Sequence, residues 1–352
     1  MKGKHLHIET DSHLLIKIRK KVRDELLLKR TSVSVKHLFK FMFYASLSIV
    51  LYSLLYAHNS PFLFILNYII LGLILLLFAF NFAHDFSHNA VFKSKGWNNF
   101  GFIAIYTLVG AHAEAWRERH VNSHHFAPNV KEYDTDLQIT NLIRVSPDME
   151  FKWYHRYQFL YAPVAYATYS LYWIFLKDPI VFLKGIRQKK IHIVHILSFA
   201  AQKIFYVIYL LVLPLVLAHQ SLGVILCGYI MMHLVQSVFL LFTFFMTHHV
   251  MHTAYPETNE QGVIQTSWLM NQINSSNDMH PFSETANFLL GGFNNHIAHH
   301  LFPHISHIYY PELNKILYQI LDENGITPNQ TTYIGGAISH LKLLKKLSKE
   351  TV

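Results

Sequence analysis

The stretch from Ile204 to Pro256 contains no Lys, Arg, Asp or Glu, and this most constrains how the chain can fold. A short polar turn at Gln220 and Ser221 divides it into two apolar arms. Two earlier apolar runs are separated by a polar turn that begins at His58. Each run is long enough, or nearly so, to cross a hydrocarbon core of roughly 30 Å as a helix. The sequence therefore predicts an all-α integral membrane protein with four transmembrane helices in two hairpins. The predicted spans are residues 37–57, 62–83, 204–218 and 222–247.

The composition agrees with a membrane protein. Hydrophobic residues make up 52% of the chain and charged residues 14%, against roughly 25% charged residues in soluble domains. The net charge of +9 comes from basic residues that flank the predicted spans and do not form a separate domain. We therefore expect a basic collar against anionic lipid headgroups and no nucleic-acid partner.

Basic residues also predict the orientation. Ten Lys and Arg residues, including Lys29 and Arg30, precede the first span, and neither hairpin turn contains a Lys or Arg. The positive-inside rule then places both termini and the long middle segment in the cytoplasm. Two apolar pieces of that segment, Phe100–Gly110 and Phe159–Phe175, are expected to lie along the interface, with a third membrane hairpin as the alternative. The predicted division is a basic N-terminal segment 1–36, a membrane domain 37–311 and a cytosolic tail 312–352.

Four histidine clusters carry eleven of the 26 histidines, and each lies close to an apolar stretch. Residues three or four apart share one face of a helix, and imidazole is the commonest metal-binding side chain. All four clusters lie on the predicted cytoplasmic side, which favours one shared site. They are His84 and His88; His120, His124 and His125; His248, His249 and His252; and His296, His299 and His300.

The number and type of ligands predict two metal ions. Nine or ten imidazoles are too many for one zinc ion, which takes three or four protein ligands. The single cysteine, Cys227, excludes a CxxC site. Imidazole suits Zn, Cu, Fe and Ni, and two irons are the natural choice if the task is oxygen activation. Asp85, Asp134 and Asp136 are candidates to orient ligating rings by accepting their second N–H.

The boxes HDFSH, HVNSHH and HIAHH followed by Leu-Phe-Pro resemble those of the membrane fatty acid desaturase family, and the similarity runs from about Asn81 to Pro311. The chain looks closest to bacterial acyl-lipid or linoleoyl-CoA-type enzymes, which are relatives of the front-end desaturases. This resemblance implies a cytosolic helical cap that carries a di-iron site. The implied ligands are His84, His88, His120, His124, His125, His252, His296, His299 and His300, with His248 as a tenth.

Two positions depart from the family pattern. Front-end relatives often carry Gln at the position of His296, so its role ranges from ligand to hydrogen-bonding neighbour. His249 is an additional imidazole, which we expect to face away from the metals.

The resemblance also implies the reaction. Two iron ions and O₂ as co-substrate would introduce a cis double bond into a fatty acyl chain carried by a lipid, CoA or acyl-carrier protein. The sequence lacks the His-Pro-Gly-Gly haem signature of a fused cytochrome b5 domain. Electrons are therefore expected from a separate donor, either ferredoxin or cytochrome b5 with its reductase. The expected location is the bacterial inner membrane.

Two other functions remain open at this stage. A hydroxylase could use the same di-iron site to add oxygen to a lipid or alkyl chain. A histidine-rich metal transporter agrees less well with the positions of the clusters. Transporters place their ligands near the bilayer midplane, whereas these clusters lie at or beyond the ends of spans. An intramembrane metalloprotease is weaker still, since no His-Glu-x-x-His occurs.

Overall fold

The computed structural model describes residues 4–26, 35–137, 141–187 and 193–349, and most of them are helical. Lys29 and Arg30 of the predicted basic segment lie outside these residues. The α-helices are α1 (Glu9–Glu25), α2 (Val35–Leu54), α3 (Pro61–Phe78), α4 (His84–Ser87), α5 (Lys95–Leu108), α6 (Ala113–Arg119), α7 (Gln158–Ala167), α8 (Tyr169–Tyr172), α9 (Asp178–Arg187), α10 (Ile193–Val207), α11 (Leu213–Leu217), α12 (Leu222–His248), α13 (Trp268–Asn274), α14 (Glu284–Leu290), α15 (His296–Leu301), α16 (Tyr310–Glu323) and α17 (Tyr333–Lys346).

Shorter elements complete the described fold. One parallel bridge pairs β1 (Asp278–Met279) with β2 (Gln330–Thr331). The π-helical turns are Ala79–Ala83, His120–His124, Trp173–Lys177 and Ile208–Val212, and the 3₁₀ turns are Trp153–Tyr157 and His307–Tyr309.

Four helices in the described residues are long and apolar enough to cross a membrane, as the sequence predicts. They are Val35–Leu54, Pro61–Ser87, Ile193–Leu217 and Leu222–His248. The third begins well before the predicted residue 204, which we set by the charge of Lys203. The structure continues the helix through this residue because Lys203 Nζ lies 2.8 Å from the buried carboxylate of Asp178 and donates to the Gly110 carbonyl. A paired charge does not end the helix.

The middle segment holds one further apolar element. Trp153–Ala167 and Tyr169–Lys184 are together long and apolar enough to span, but they are bent by 65° at the break between them. A broken helix of this kind is compatible with a re-entrant segment as well as with a fifth span. The predicted interfacial piece 159–175 lies within it.

Polar and glycine residues bring the candidate spans together. Helix α3 packs against both α2 and α12, and Gly72 lies so close to Met232 that a Cβ would overlap its side chain. Small residues allow such close approach between membrane helices. Within α12, His233 bonds to the hydroxyls of Ser170 and Tyr206, which ties α8 and α10 to the same helix. The His233 ring therefore has a structural partner on each side.

Helices α1, α13, α15 and α16 share a separate hydrophobic core. Leu14, Ile18 and Val22 on one face of α1 pack against buried residues that include Leu313 and Leu317 of α16. The spacing of four residues on α1 is typical of a helix with one buried face. This core surrounds α15, the helix that carries His296, His299 and His300.

Two glycines allow the segment before α15 to lie close to the π-helical turn Ala79–Ala83 and to the 3₁₀ turn His307–Tyr309. Gly291 has a φ of +60°, and a Cβ there would come within 2.5 Å of the Phe80 carbonyl oxygen. Gly292 has a φ of +86°, and its Cβ would meet the His307 side chain at the same distance. Glycine adopts positive φ at little cost, and it leaves room for backbone contact. These two residues bring the third histidine box next to the first.

Candidate metal centre

The first two histidine boxes are shaped by π-helical turns. The turn Ala79–Ala83 directly precedes His84 at the end of the second candidate span. The turn His120–His124 ends with a hydrogen bond from the His125 N–H to the His120 carbonyl. Because a π turn closes five residues apart, it brings His120 and His125 to the same side, whereas an α-helix would separate them. Their Nε2 atoms lie 3.1 Å apart.

Eight buried or partly buried imidazoles form two groups of four. Within each group the available ligand atoms lie within 4.8 Å of one another. The first group comprises His84, His88, His120 and His299, and the second comprises His124, His248, His296 and His300. Each group takes members from at least three separate segments of the chain.

His125 joins the two groups. Its Nε2 lies 2.9 Å from Nε2 of His299 in the first group, and its ring stacks on that of His300 in the second at 4.5 Å between centroids. His248 Nε2 is surrounded in a similar way, with the Nε2 atoms of His124, His296 and His300 at 2.9, 2.7 and 3.1 Å.

These contacts fit a cation between the rings better than hydrogen bonds among them. A neutral imidazole carries one N–H and one lone pair, so His248 Nε2 can satisfy at most one hydrogen bond by donation. Without a cation between them, the lone pairs of the three other converging imidazole nitrogens would point at one another in a buried site and repel. A metal ion between them would accept all of these lone pairs. The nitrogen donors suit a borderline metal such as iron, copper, nickel or zinc.

The electrostatics keep most of these imidazoles neutral. Burial, reinforced by the charge that each protonated neighbour would carry, lowers the pKa of His120, His125 and His299 well below the ordinary value. The same holds for His88, His296 and His300. A neutral imidazole is the form that binds a metal.

His124 is the exception. Burial lowers its pKa, but the charge and hydrogen bond of Asp134 outweigh burial, so the pKa of His124 is raised. His124 Nδ1 donates to Asp134 Oδ2 at 2.9 Å, and the same carboxylate oxygen accepts the Asn129 N–H. This is the arrangement in which a carboxylate orients a ligating ring and increases its basicity.

Several other rings are held through Nδ1, which leaves Nε2 to face the centre. His300 Nδ1 lies 2.8 Å from Gln272 Oε1, and His248 Nδ1 lies 2.8 Å from the Ser275 carbonyl oxygen. His299 Nδ1 lies 3.3 Å from the Tyr310 hydroxyl. Nothing in the sequence spacing indicates Gln272, Ser275 or Tyr310, because they come from different segments that meet only in the fold.

Asp278 is a further residue that sequence reasoning missed. Its buried carboxylate accepts the Ile297 N–H at 2.9 Å and the Tyr318 hydroxyl at the same distance. It therefore satisfies a free N–H in the first turn of α15, whose N-cap residue Asn295 makes no side-chain capping bond. Burial raises the pKa of Asp278 to about 7.

The two other candidate carboxylates differ in their surroundings. Asp136 Oδ2 lies 3.5 Å from His120 Nδ1, close enough to act on this ring electrostatically. Asp85 contacts none of the box rings. It accepts hydrogen bonds from the Ser306 hydroxyl and from the His307 ring instead, because its side chain faces α2 and the 3₁₀ turn rather than the histidine groups. The expectation that Asp85 orients a ligating ring is therefore not met.

The structure separates His252 from the other predicted ligands. We expected His248 and His252 to share a helix face, but α12 ends at His248 and His249 has a φ of −122°. His252 lies in the following turn with an exposed side chain. His249, which we expected to face away, bonds through Nδ1 to the Tyr255 hydroxyl and belongs to neither group. Nine of the ten predicted ligands are thus together, and His252 is not among them.

An apolar cavity with a volume of about 80 Å³ reaches the first group from the side of the candidate spans. His84 and His120 form part of its wall. Most of the remaining wall is apolar and includes Leu76, Ala79, Phe80, Leu240, Phe244 and Phe293. A hydrocarbon chain in this cavity would be shielded from water and would lie against the histidines.

Comparison with known proteins gives a consistent result. The family model for fatty acid desaturase matches residues 59–332. An acyl-lipid (8-3)-desaturase of Physcomitrium patens is 35% identical over 62% of this chain and 47% of its own length. An sn-1 linoleoyl-lipid 6-desaturase of Arthrospira platensis is 28% identical over 81% of this chain and 78% of its own. The acyl-lipid (8-3)-desaturase B of Dictyostelium discoideum is 27% identical over 78% of this chain and 62% of its own. The chain thus spans about half the length of the moss relative.

Proposed function

The chain belongs to the fatty acid desaturase family, and from this premise we propose that it introduces a cis double bond into a fatty acyl chain at a histidine-held di-iron centre. The observation that carries the proposal is the position of the apolar cavity, which has His84 and His120 of the first histidine group in its wall. The reaction balances as follows. Two adjacent methylene groups each lose one hydrogen atom, and O₂ accepts these two hydrogen atoms together with two electrons and two protons. The products are one double bond and two water molecules.

The proposed ligands are nine histidines, namely the eight of the two groups together with His125. They are His84, His88, His120 and His299; His124, His248, His296 and His300; and His125 between the groups. A bound iron pair would supply the activation of O₂. The protein would contribute neutral imidazoles, the carboxylate of Asp134 that orients His124, and a dry cavity that fixes the acyl chain.

We propose a substrate whose double bond forms near the carboxyl end of the chain. The names of the relatives above describe lipid-linked acyl chains and, for the Arthrospira enzyme, position 6. Arg119 supports this choice, because it is the last residue of α6, directly before His120, and lines the mostly apolar cavity together with Asp136. Arg119 and Asp136 make the cavity wall polar next to the first histidine group. A polar wall at this place suits the polar ester end of an acyl chain that lies only a few carbons from the reacting carbons.

We further propose the topology predicted from the sequence. The second and fourth candidate spans end at Ser87 and His248, where the histidine groups lie, so two hairpins would place the centre at one membrane face. The positive-inside rule makes this face cytoplasmic, together with both termini and the helices around α15. The division into 1–36, 37–311 and 312–352, the bacterial inner membrane and a separate electron donor remain part of this proposal.

Product analysis tests the reaction. The chain is expressed in a host with a defined fatty acid pool, and membrane lipids are examined by mass spectrometry. Loss of two hydrogens at one position of the acyl chain is the expected result. Gain of one oxygen would identify a hydroxylase, and metal flux into liposomes without any new lipid would identify a transporter; either would overturn the proposal.

Metal content tests the two-group arrangement. The purified protein should contain two iron ions per chain. His299→Ala removes a member of the first group and His300→Ala one of the second, so each should lower the iron content toward one. Loss of both ions in both variants, or of neither, would contradict two separable sites.

A further inference from the structure

A second opening, separate from the apolar cavity, reaches His300 of the second group and His125. We call it the cationic cleft; it has a volume of about 870 Å³ and lies between α1 and the segment that follows α15. Its wall includes Arg19, Lys20 and Arg23 of α1 and Trp268 of α13, and the rings of His125 and His300. The cleft thus joins an exposed basic helix face to two of the proposed ligands.

The charge of the cleft is of one sign. Three basic residues line it, and no Asp or Glu does among the residues that the structure describes. Arg19 is exposed and its guanidinium lies 5.7 Å from the centre of the Trp268 ring, which holds it at the rim. Lys20 is also exposed. Arg23 is partly compensated, because its Nε lies 3.2 Å from Asp24. The uncompensated charge is therefore carried by Arg19 and Lys20.

The cleft and the apolar cavity meet different histidines. The cavity wall contains His84 and His120, whereas the cleft wall contains His125 and His300. An acyl chain in the cavity would leave the cleft free. The centre can therefore be approached by a second molecule while the substrate is in place.

We propose that the cationic cleft is the docking surface for an acidic one-electron carrier protein, which delivers electrons to the centre through the edges of His125 and His300. This inference rests on the proposed function, whose reaction consumes two electrons for each double bond. A one-electron carrier must bind and leave twice in each turnover. Its reduced cofactor gives up one electron on each visit and leaves oxidised.

The features of the cleft suit such a carrier. A transient complex benefits from charge complementarity, which raises the association rate more than the affinity. The basic residues stand on an exposed helix face around a wide opening, which can receive a protruding acidic surface. Electron transfer falls steeply with distance, so a carrier is most effective where ligand rings form part of the surface that it contacts.

The test is a binding and kinetic titration of the iron-loaded protein in detergent. Two probes are used: a soluble two-iron two-sulfur ferredoxin and the soluble haem domain of cytochrome b5, both acidic. In the double variant Arg19→Glu with Lys20→Glu, the Kd for at least one probe should rise about tenfold or more at low ionic strength. The difference should shrink as salt screens the charges. The KM for that carrier should rise likewise, while the KM for the acyl substrate stays unchanged.

A matched control carries the same change of charge elsewhere. Lys315 and Lys342 are exposed on α16 and α17 and do not line the cleft. The double variant Lys315→Glu with Lys342→Glu should bind both probes as the parent does. If the two double variants raise the Kd equally, the effect comes from the net charge of the protein and not from the cleft, and the proposal is overturned.

Two further outcomes would also overturn it. Unchanged binding of both probes in the cleft variant would exclude the cleft as their docking surface. Loss of binding to vesicles of anionic phospholipid, with carrier binding intact, would assign the cleft to the membrane surface. Product formation by the parent protein separates failure of the docking proposal from failure of the proposed function. A parent that forms no product with any electron donor would refute the desaturase proposal itself.

Discussion

The Nδ1 atom of His124 donates a 2.9 Å hydrogen bond to Oδ2 of Asp134, and both side chains are almost completely buried. The two residues are only ten positions apart, but they meet because the chain turns back after the second histidine box. The bond fixes which nitrogen of His124 carries the proton and turns Nε2 toward His248. A carboxylate that orients a ligating ring in this way tunes the metal as well as the fold.

Asp134→Asn should weaken metal binding without removing a ligand. The variant loses the negative charge that raises the basicity of His124, and loss of such a partner typically costs about 10–100-fold in metal affinity. Competition with a chelator on the purified protein measures this affinity. Asp322→Asn, at an exposed position of α16, is the control and should behave as the parent. An unchanged affinity in Asp134→Asn would refute the orienting role.

His248 and His252 should differ sharply, although they are four residues apart. His248→Ala removes the ring whose Nε2 contacts three others, so we expect loss of metal from the second group and product at background level. His252→Ala alters an exposed ring outside both groups and should keep metal and product. Iron analysis and lipid profiles of both variants provide the measurement. Metal loss in His252→Ala would restore it as a ligand.

Filling the apolar cavity should block the substrate and spare the metals. Ala79 lies in the cavity wall, and a phenyl ring at this position would occupy space that an acyl chain needs. Ala79→Phe should therefore form little product from long acyl chains at normal iron content. Val216→Phe places the same ring on an exposed apolar surface of α11 and should leave activity unchanged. Full activity of Ala79→Phe would place the substrate elsewhere.

Acid should destabilise the protein in part through His340. Burial lowers the pKa of His340 to about 4, although the hydrogen bond donated to the His249 carbonyl opposes this. The unfolded chain then binds a proton that the folded chain does not between about pH 6.5 and pH 4. Stability is lost as the pH falls through this window, at up to about 1.4 kcal/mol per pH unit for one proton.

Thermal unfolding in detergent at several pH values measures this effect. His340→Gln should show a smaller loss of stability from pH 6.5 to pH 4 than the parent. Some dependence should persist, since burial also lowers the pKa of His307 to about 4. His13→Gln, at an exposed position of α1, should keep the dependence of the parent. If the stability of the parent and of His340→Gln depends on pH in the same way, the assignment of this acid effect to His340 is contradicted.

The number of candidate spans and the identity of most centre residues could be predicted from the sequence alone. Uninterrupted apolar runs signal a spanning helix directly, because the bilayer demands length and apolarity. The boundary at Ile193 could not be predicted, since Lys203 is neutralised by Asp178 from another segment. A local pattern does not reveal a partner that is distant along the chain.

The sequence by itself determined a helical chain with four segments apolar enough to cross a membrane, the histidine boxes and the imidazole donors that could hold metal ions. Only the tertiary structure decided their grouping, the position of His252 outside the two groups and the contacts of Asp85 with Ser306 and His307. The physical reason is that local spacing assumes one regular helix, whereas α12 ends at His248 and a π turn closes the second box. Which rings converge then depends on contacts between segments, such as the approach of Gly291 to Phe80, and these arise only when the chain is folded.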